Sequence, residues 1–192
     1  MDDRASTTDV VSRALRSTPA PIRLLHTLDR ASSAAFIQAP AGAIDLRTWL
    51  TALSSDDFVA CSRDHHGAVH ATLPDGYHVL VVTETIGETL MTHHYVLELA
   101  EAHHVRAVSA ASAVWLPNGE VAPMRVTWEL TVEPSGTGAC RLISDMLAES
   151  SHDLLVALSA QRAPGAPNLA EAHSVAETQQ FAADIQRKAL RT

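Results

Sequence analysis

The sequence predicts an α+β domain in which a long antiparallel meander is covered by one C-terminal helix. Three observations lead there. Met124, Val126, Trp128, Leu130 and Val132 alternate with Arg125, Thr127, Glu129 and Thr131, the period of a strand with one buried and one wet face. The clusters Pro74-Asp75-Gly76, Pro117-Asn118-Gly119 and Pro134-Ser135-Gly136 punctuate stretches of the same character, as tight turns between strands do. The last stretch, from Asn168 to about Leu190, is built from good helix formers and ends in Arg187, Lys188 and Arg191, which suit the negative end of a helix.

Taken in order, residues 1–30 read as an N-terminal helical extension and residues 31–192 as the main domain. Thr8 or Asp9 can cap a first short helix, Pro19 and Pro21 interrupt it, and Ile22, Leu24, Leu25 and Leu28 suggest a second. Helices this short need a surface to pack on, either the main domain or a second subunit. A brief strand then ends at Phe36-Ile37-Gln38. Pro40 opens a helix with Ile44, Trp49, Leu50 and Leu53 on its buried side, closed by Ser54-Ser55-Asp56-Asp57. Strands follow at residues 67–73, 77–86, 89–100 and 104–116, and then the hairpin whose second strand alternates Cys140, Leu142, Ser144 and Met146 with Arg141 and Asp145. Leu154, Leu155, Ala157 and Leu158 suggest a short helix or lid, residues 162–167 a linker, and Asn168 the cap of the final helix.

Composition narrows the function. With 192 residues, a net charge of -8 and 46% hydrophobic residues, the chain has material for one sizeable core. No stretch approaches the roughly 20 apolar residues of a membrane span, and the start lacks the plan of a secretory signal, so a cytoplasmic location is expected. The acidic balance, without a cluster of Lys or Arg, argues against a nucleic-acid partner. Cys61 and Cys140 lie far apart and read as buried thiols rather than a disulfide or thiolate site. Serine-hydrolase, zincin, P-loop and dinucleotide signatures are missing.

Three passages carry a resemblance. "FIQAPAGAIDLRTWL", "WELTVEPSGTGACRL" and "AHSVAETQQFAADIQRKAL", in this order, resemble the opening, the late hairpin and the closing helix of the START-like superfamily, which includes polyketide cyclases and lipid-transfer domains. The resemblance covers about residues 31–190. It implies a helix-grip fold, a curved antiparallel sheet of six to seven strands wrapped around the last helix, with a cavity for a small hydrophobic molecule between them.

Eleven histidines are the unusual feature of the chain, and the candidate chemistry rests on them. His173 and Glu177 stand four apart, on one face of the final helix. His93 shares the parity of Tyr95, Leu97 and Leu99, and His65 that of Val69, Ala71 and Leu73.

Three functions are open. In the first, which needs no cofactor, the cavity binds a hydrophobic or aromatic molecule and acts like a polyketide cyclase if it acts at all. His93, Tyr95 and His173 then assist proton transfer, and Trp115, Trp128, Met124, Leu97 and Phe181 line the wall. In the second, His65, His93, His173 and Glu177 hold zinc for hydrolysis of an aromatic or polyketide-like ketone. Diacetylphloroglucinol hydrolase, a branch of the same superfamily, is similar in its helical His-x-x-x-Glu, matched here by His173 and Glu177. In the third, the protein is a non-catalytic regulatory or assembly factor forming a homodimer through its N-terminal helices. The plainer account of the helical pair is a surface ion pair, and Glu84, Glu88, Glu98 and Arg106 read as solvated strand faces.

Overall fold

The computed structural model describes residues 24–74, 76–161 and 169–190, with Leu169 described in its backbone alone. The N-terminal helix about Thr8 and Asp9, the linker at 162–167 and the Asn168 cap lie outside these residues. Seven strands form one antiparallel sheet: β1 (His26–Ile37), β2 (His65–Thr72), β3 (His78–Ile86), β4 (Thr89–Ala100), β5 (His104–Trp115), β6 (Val121–Pro134) and β7 (Cys140–Ser150). Their order is β1-β7-β6-β5-β4-β3-β2, so β2 to β7 are the expected meander and β1 closes its far edge.

β1 is longer than its sequence suggests and takes in Leu28, the last of the four residues expected to form a second N-terminal helix; Leu24 and Leu25 precede the strand outside any helix, and Ile22 lies outside the described residues. Its pairing with β7 runs from His26 opposite Ser150 to Ile37 opposite Cys140. The residues that hide it, Ala31, Ser33 and Ala35, are too small to show as an apolar stripe, yet they let a helix come close. The Ser33 hydroxyl lies 2.8 Å from Ser174 Oγ and 2.7 Å from Thr178 Oγ1 on that helix.

The expected single helix after Pro40 is in fact a turn of 3-10 helix at Ala41–Ala43 and two short helices, α1 (Leu46–Thr51) and α2 (Ser55–Cys61). Ser54-Ser55-Asp56-Asp57 opens α2 rather than closing α1. Ser54 Oγ accepts the Asp57 N–H at 3.1 Å and donates to Asp57 Oδ2 at 2.8 Å, a reciprocal cap. After β7 come α3 (Asp153–Ala160) and the long α4 (Leu169–Ala189). Ala170, Ser174, Thr178, Phe181, Ala182 and Ile185 of α4 are buried, the stripe expected of a helix with one covered face.

The core continues from this stripe through Trp49, Leu50 and Phe58 to the inner residues of β5, β6 and β7. Gly119 (φ 84°) takes the left-handed position in the β5–β6 turn. Among the described residues no helix is long and apolar enough to cross a membrane.

Candidate functional site

Between α4, α3 and the inner face of the sheet lies a cavity of about 320 Å³. Its far wall is apolar, with Val126, Trp128, Met124 and Met146 from β6 and β7. Its near wall carries His93, Glu84, His173 and Glu177.

The near wall is assembled from four elements. Glu84 has the parity of the buried Leu80 and Val82 on β3 and is itself buried, so its assignment to a solvated strand face is corrected. Glu88, Glu98 and Arg106 are not part of this wall, and Glu98 and Arg106 face each other at 3.8 Å with both side chains largely exposed. Across the ladder Glu84 stands opposite His65. His65 points inward although its expected partners in parity, such as Val69, are exposed. The reason is a bulge between His65 and Gly67, which reverses the alternation beyond it.

From α4, His173 and Glu177 flank the buried stripe on the cavity side. Four donor atoms, one each from His65, Glu84, His173 and Glu177, lie within 4.8 Å of one another. His173 Nε2 is 3.0 Å from Glu84 Oε2, and His65 Nε2 is 2.9 Å from Glu177 Oε1. His93 does not join the four. Its Nε2 lies 3.0 Å from the other Glu84 oxygen, Oε1.

α2 holds His65 in place. The Phe58 ring stacks on the imidazole with centroids 3.8 Å apart. The Phe58 carbonyl accepts from His65 Nδ1 at 2.7 Å, so the proton on that nitrogen is fixed and Nε2 faces the cluster. This Nε2 is buried without a hydrogen-bond partner, and so is His93 Nε2. A carboxylate oxygen is close to each, but off the direction of a hydrogen bond.

Charge in the cluster is strongly coupled. Burial pushes the Glu84 carboxyl up, but the hydrogen bond from His173 and the contact with His93 outweigh it and hold the group below its ordinary range. Burial raises Glu177 further than His65 lowers it. His65 and His173 are both raised: burial opposes their charge, and their carboxylate partners more than restore it. Two carboxylates and inward imidazole nitrogens form a mixed oxygen and nitrogen donor set whose two formal negative charges match a divalent cation. The unpartnered His65 Nε2 is the atom such an ion would satisfy, so the residues fit a metal.

The other predicted residues divide. Tyr95, Met124 and Trp128 line the cavity along with His93 and His173. Burial pushes the Tyr95 phenol far up, so it stays protonated, and its ring stacks on His93 at 5.3 Å. Three expectations are corrected. Trp115 faces outward and is 39% exposed, because its neighbours Val114 and Leu116 take the inner positions. Leu97 faces the α1 end of the sheet beside Leu50, away from the cavity. Phe181 is fully buried, wedged among the rings of Trp49, Trp128 and His65, and it fills the core instead of lining the wall.

No protein-family model matches the chain, and no curated protein matches its sequence. Solved structures match in shape. The Zhui aromatase/cyclase from Streptomyces sp. R1128 superposes with a TM-score of 0.54 at 12% identity, over 85% of this chain and 96% of that one. Norcoclaurine synthase from Thalictrum flavum gives 0.51 at 12% identity, over 92% and 95%. Ara h 8.0201 gives 0.51 at 12%, over 88% and 100%. The chain has the START-like helix-grip fold. The curved seven-stranded sheet closed on a long C-terminal helix is the architecture that the three passages implied.

Proposed function

We propose that this START-like protein is a metal-dependent hydrolase that takes an uncharged, apolar ketone or ester into its cavity. The observation that carries the reading is the convergence of His65, Glu84, His173 and Glu177 at one wall of an otherwise apolar chamber. A divalent ion held by these four residues would polarise a carbonyl and make a water molecule more acidic.

The chain's own residues supply the rest. Phe58 fixes the His65 tautomer, and α4 carries two donors one turn apart. Trp128, Met124 and Met146 offer an adaptable apolar surface for a ring or chain. No Lys or Arg lines the cavity among the described residues, so a carboxylate or phosphate substrate would find no counter-charge there. The protonated Tyr95 hydroxyl is available to donate to a ligand oxygen. The same cavity suits the binding or cyclisation of an aromatic molecule without a metal. Tyr95 favours that second reading, since no group among the described residues takes its hydroxyl proton, and similar folds serve an aromatase/cyclase and norcoclaurine synthase.

Metal analysis of untagged protein decides between them. One equivalent of zinc is expected in the wild type, and His173→Ala should lose it. Wild-type protein that neither retains nor binds zinc would leave the metal-free reading.

A further inference from the structure

β5 carries an irregularity directly beneath His93. Ser109 pairs with Val126 and Ser112 with Met124, so Ala110 and Ala111 together oppose the single Arg125 on β6. The same extra residue separates β5 from β4, where three residues between Thr92 and Val96 face four between Val108 and Ala113. In a regular strand, residues three apart point to opposite faces. The bulge brings both serines to the inside, where each is 0% exposed.

The two hydroxyls form a directed chain. Ser112 Oγ donates to Ser109 Oγ at 2.8 Å, and Ser109 Oγ also accepts the His94 backbone N–H at 2.8 Å. With its proton committed, Ser112 Oγ accepts from His93 Nδ1, 2.8 Å away. The proton on Nδ1 leaves His93 Nε2 bare, 3.0 Å from Glu84 Oε1 and without a hydrogen-bond partner, while Glu84 Oε2 remains on the side of His173. Ser109 has a plain structural task, since it satisfies a backbone donor that the bulge takes out of the ladder. Ser112 has none: its hydroxyl serves only the imidazole and its fellow serine.

We infer that the Ser109–Ser112 pair is a positioning device for the candidate metal centre: it fixes the His93 tautomer and sets the bare Nε2 beside Glu84, on the side where His65, His173 and Glu177 converge. The inference rests on the metal-centre reading and adds to it a reason for the bulge, for two buried serines and for a third imidazole outside the donor set. His93 is then a positioning residue, and so is Ser112.

Zinc alone is the probe. Affinity is measured by competition with a chromophoric chelator, and the centre's geometry by the visible absorption of the cobalt(II)-loaded protein. Ser112→Ala should bind zinc about 10–100-fold more weakly, the usual effect of removing an outer-shell partner, with altered cobalt absorption. Ser150→Ala, which removes another buried serine, one that bonds the Pro123 carbonyl, should match the wild type. If Ser112→Ala fails to fold, His93→Ala and His93→Gln replace it: the first should weaken zinc binding, and the second, which keeps an N–H donor, should restore part of the loss. Wild-type affinity and spectrum in Ser112→Ala or His93→Ala would overturn the positioning role while leaving the centre standing. A wild type that binds no zinc would remove both.

Discussion

Glu84 is a carboxylate kept charged in a place where burial alone would neutralise it, with one oxygen hydrogen-bonded to His173 and the other 3.0 Å from His93 Nε2. Glu84→Gln keeps the shape, removes one donor and leaves His93 and His173 with a poorer partner. Zinc content should fall from one equivalent to a small fraction of it, as elemental analysis would show. In chelator-treated protein the sign with pH follows from the lowered pKa. The carboxylate's stabilising contacts are complete above its ordinary value of 4.5 and are lost as pH falls through the lower folded value. Thermal melts across the acid range should therefore show a flatter acid limb for Glu84→Gln than for the wild type. The parity that places Glu84 inside is legible, since it alternates in step with Leu80, Val82 and Ile86; its charge argued against following that parity. His65 is the converse case. Its inward position depends on a bulge at His66, and an alternation rule taken from Val69 reaches it only by accident.

At the scale of elements, α2 links the site to the end of α4. Asp57 on α2 lies 2.9 Å from Lys188 Nζ and 3.3 Å from Arg187, while Trp49 Nε1 on α1 donates to Asp184 of α4 at 2.8 Å. The Lys188 hydrogen bond, acting against burial, holds the Asp57 carboxyl down at about 2. This contribution is fully present above the ordinary value of 3.8 and is lost as pH falls through about 2. Lys188→Met should cost about 1 kcal/mol or less, as partly exposed pairs do. Urea midpoints should show that cost at neutral pH and a shrinking difference as pH falls through about 2; an unchanged difference there would contradict the assignment. α2 itself was readable, because Ser54-x-x-Asp57 is a helix-opening box. In the sequence it reads as an ending because α1 stops only three residues earlier. β1 was harder to see, since its inner face is alanine and serine, chosen for the close approach of α4 rather than for apolar bulk.

The whole molecule separates two tasks across one cavity, with the charged cluster on β2, β3 and α4 and the apolar wall on β6 and β7. A chamber of about 320 Å³ left open inside a core is costly, because its lining forgoes packing contacts. Filling it from the apolar side should stabilise the fold and abolish ligand uptake without touching the donors. Met146→Trp tests this, since Met146 lines the cavity from β7 while the donors sit on the distant strands β2 and β3 of the same face and on α4. Its melting temperature should be equal to or above that of the wild type, and its zinc affinity should match. Binding of 2-naphthol, a neutral aromatic probe followed by its fluorescence, should weaken at least tenfold, since the ring then has no space to enter. Undiminished 2-naphthol binding by a folded Met146→Trp protein would show that the probe lodges elsewhere, and would break the link between this cavity and an apolar substrate. Loss of both zinc and probe would show instead that the two walls are mechanically one unit, so that the donors depend on how the far side of the sheet is packed.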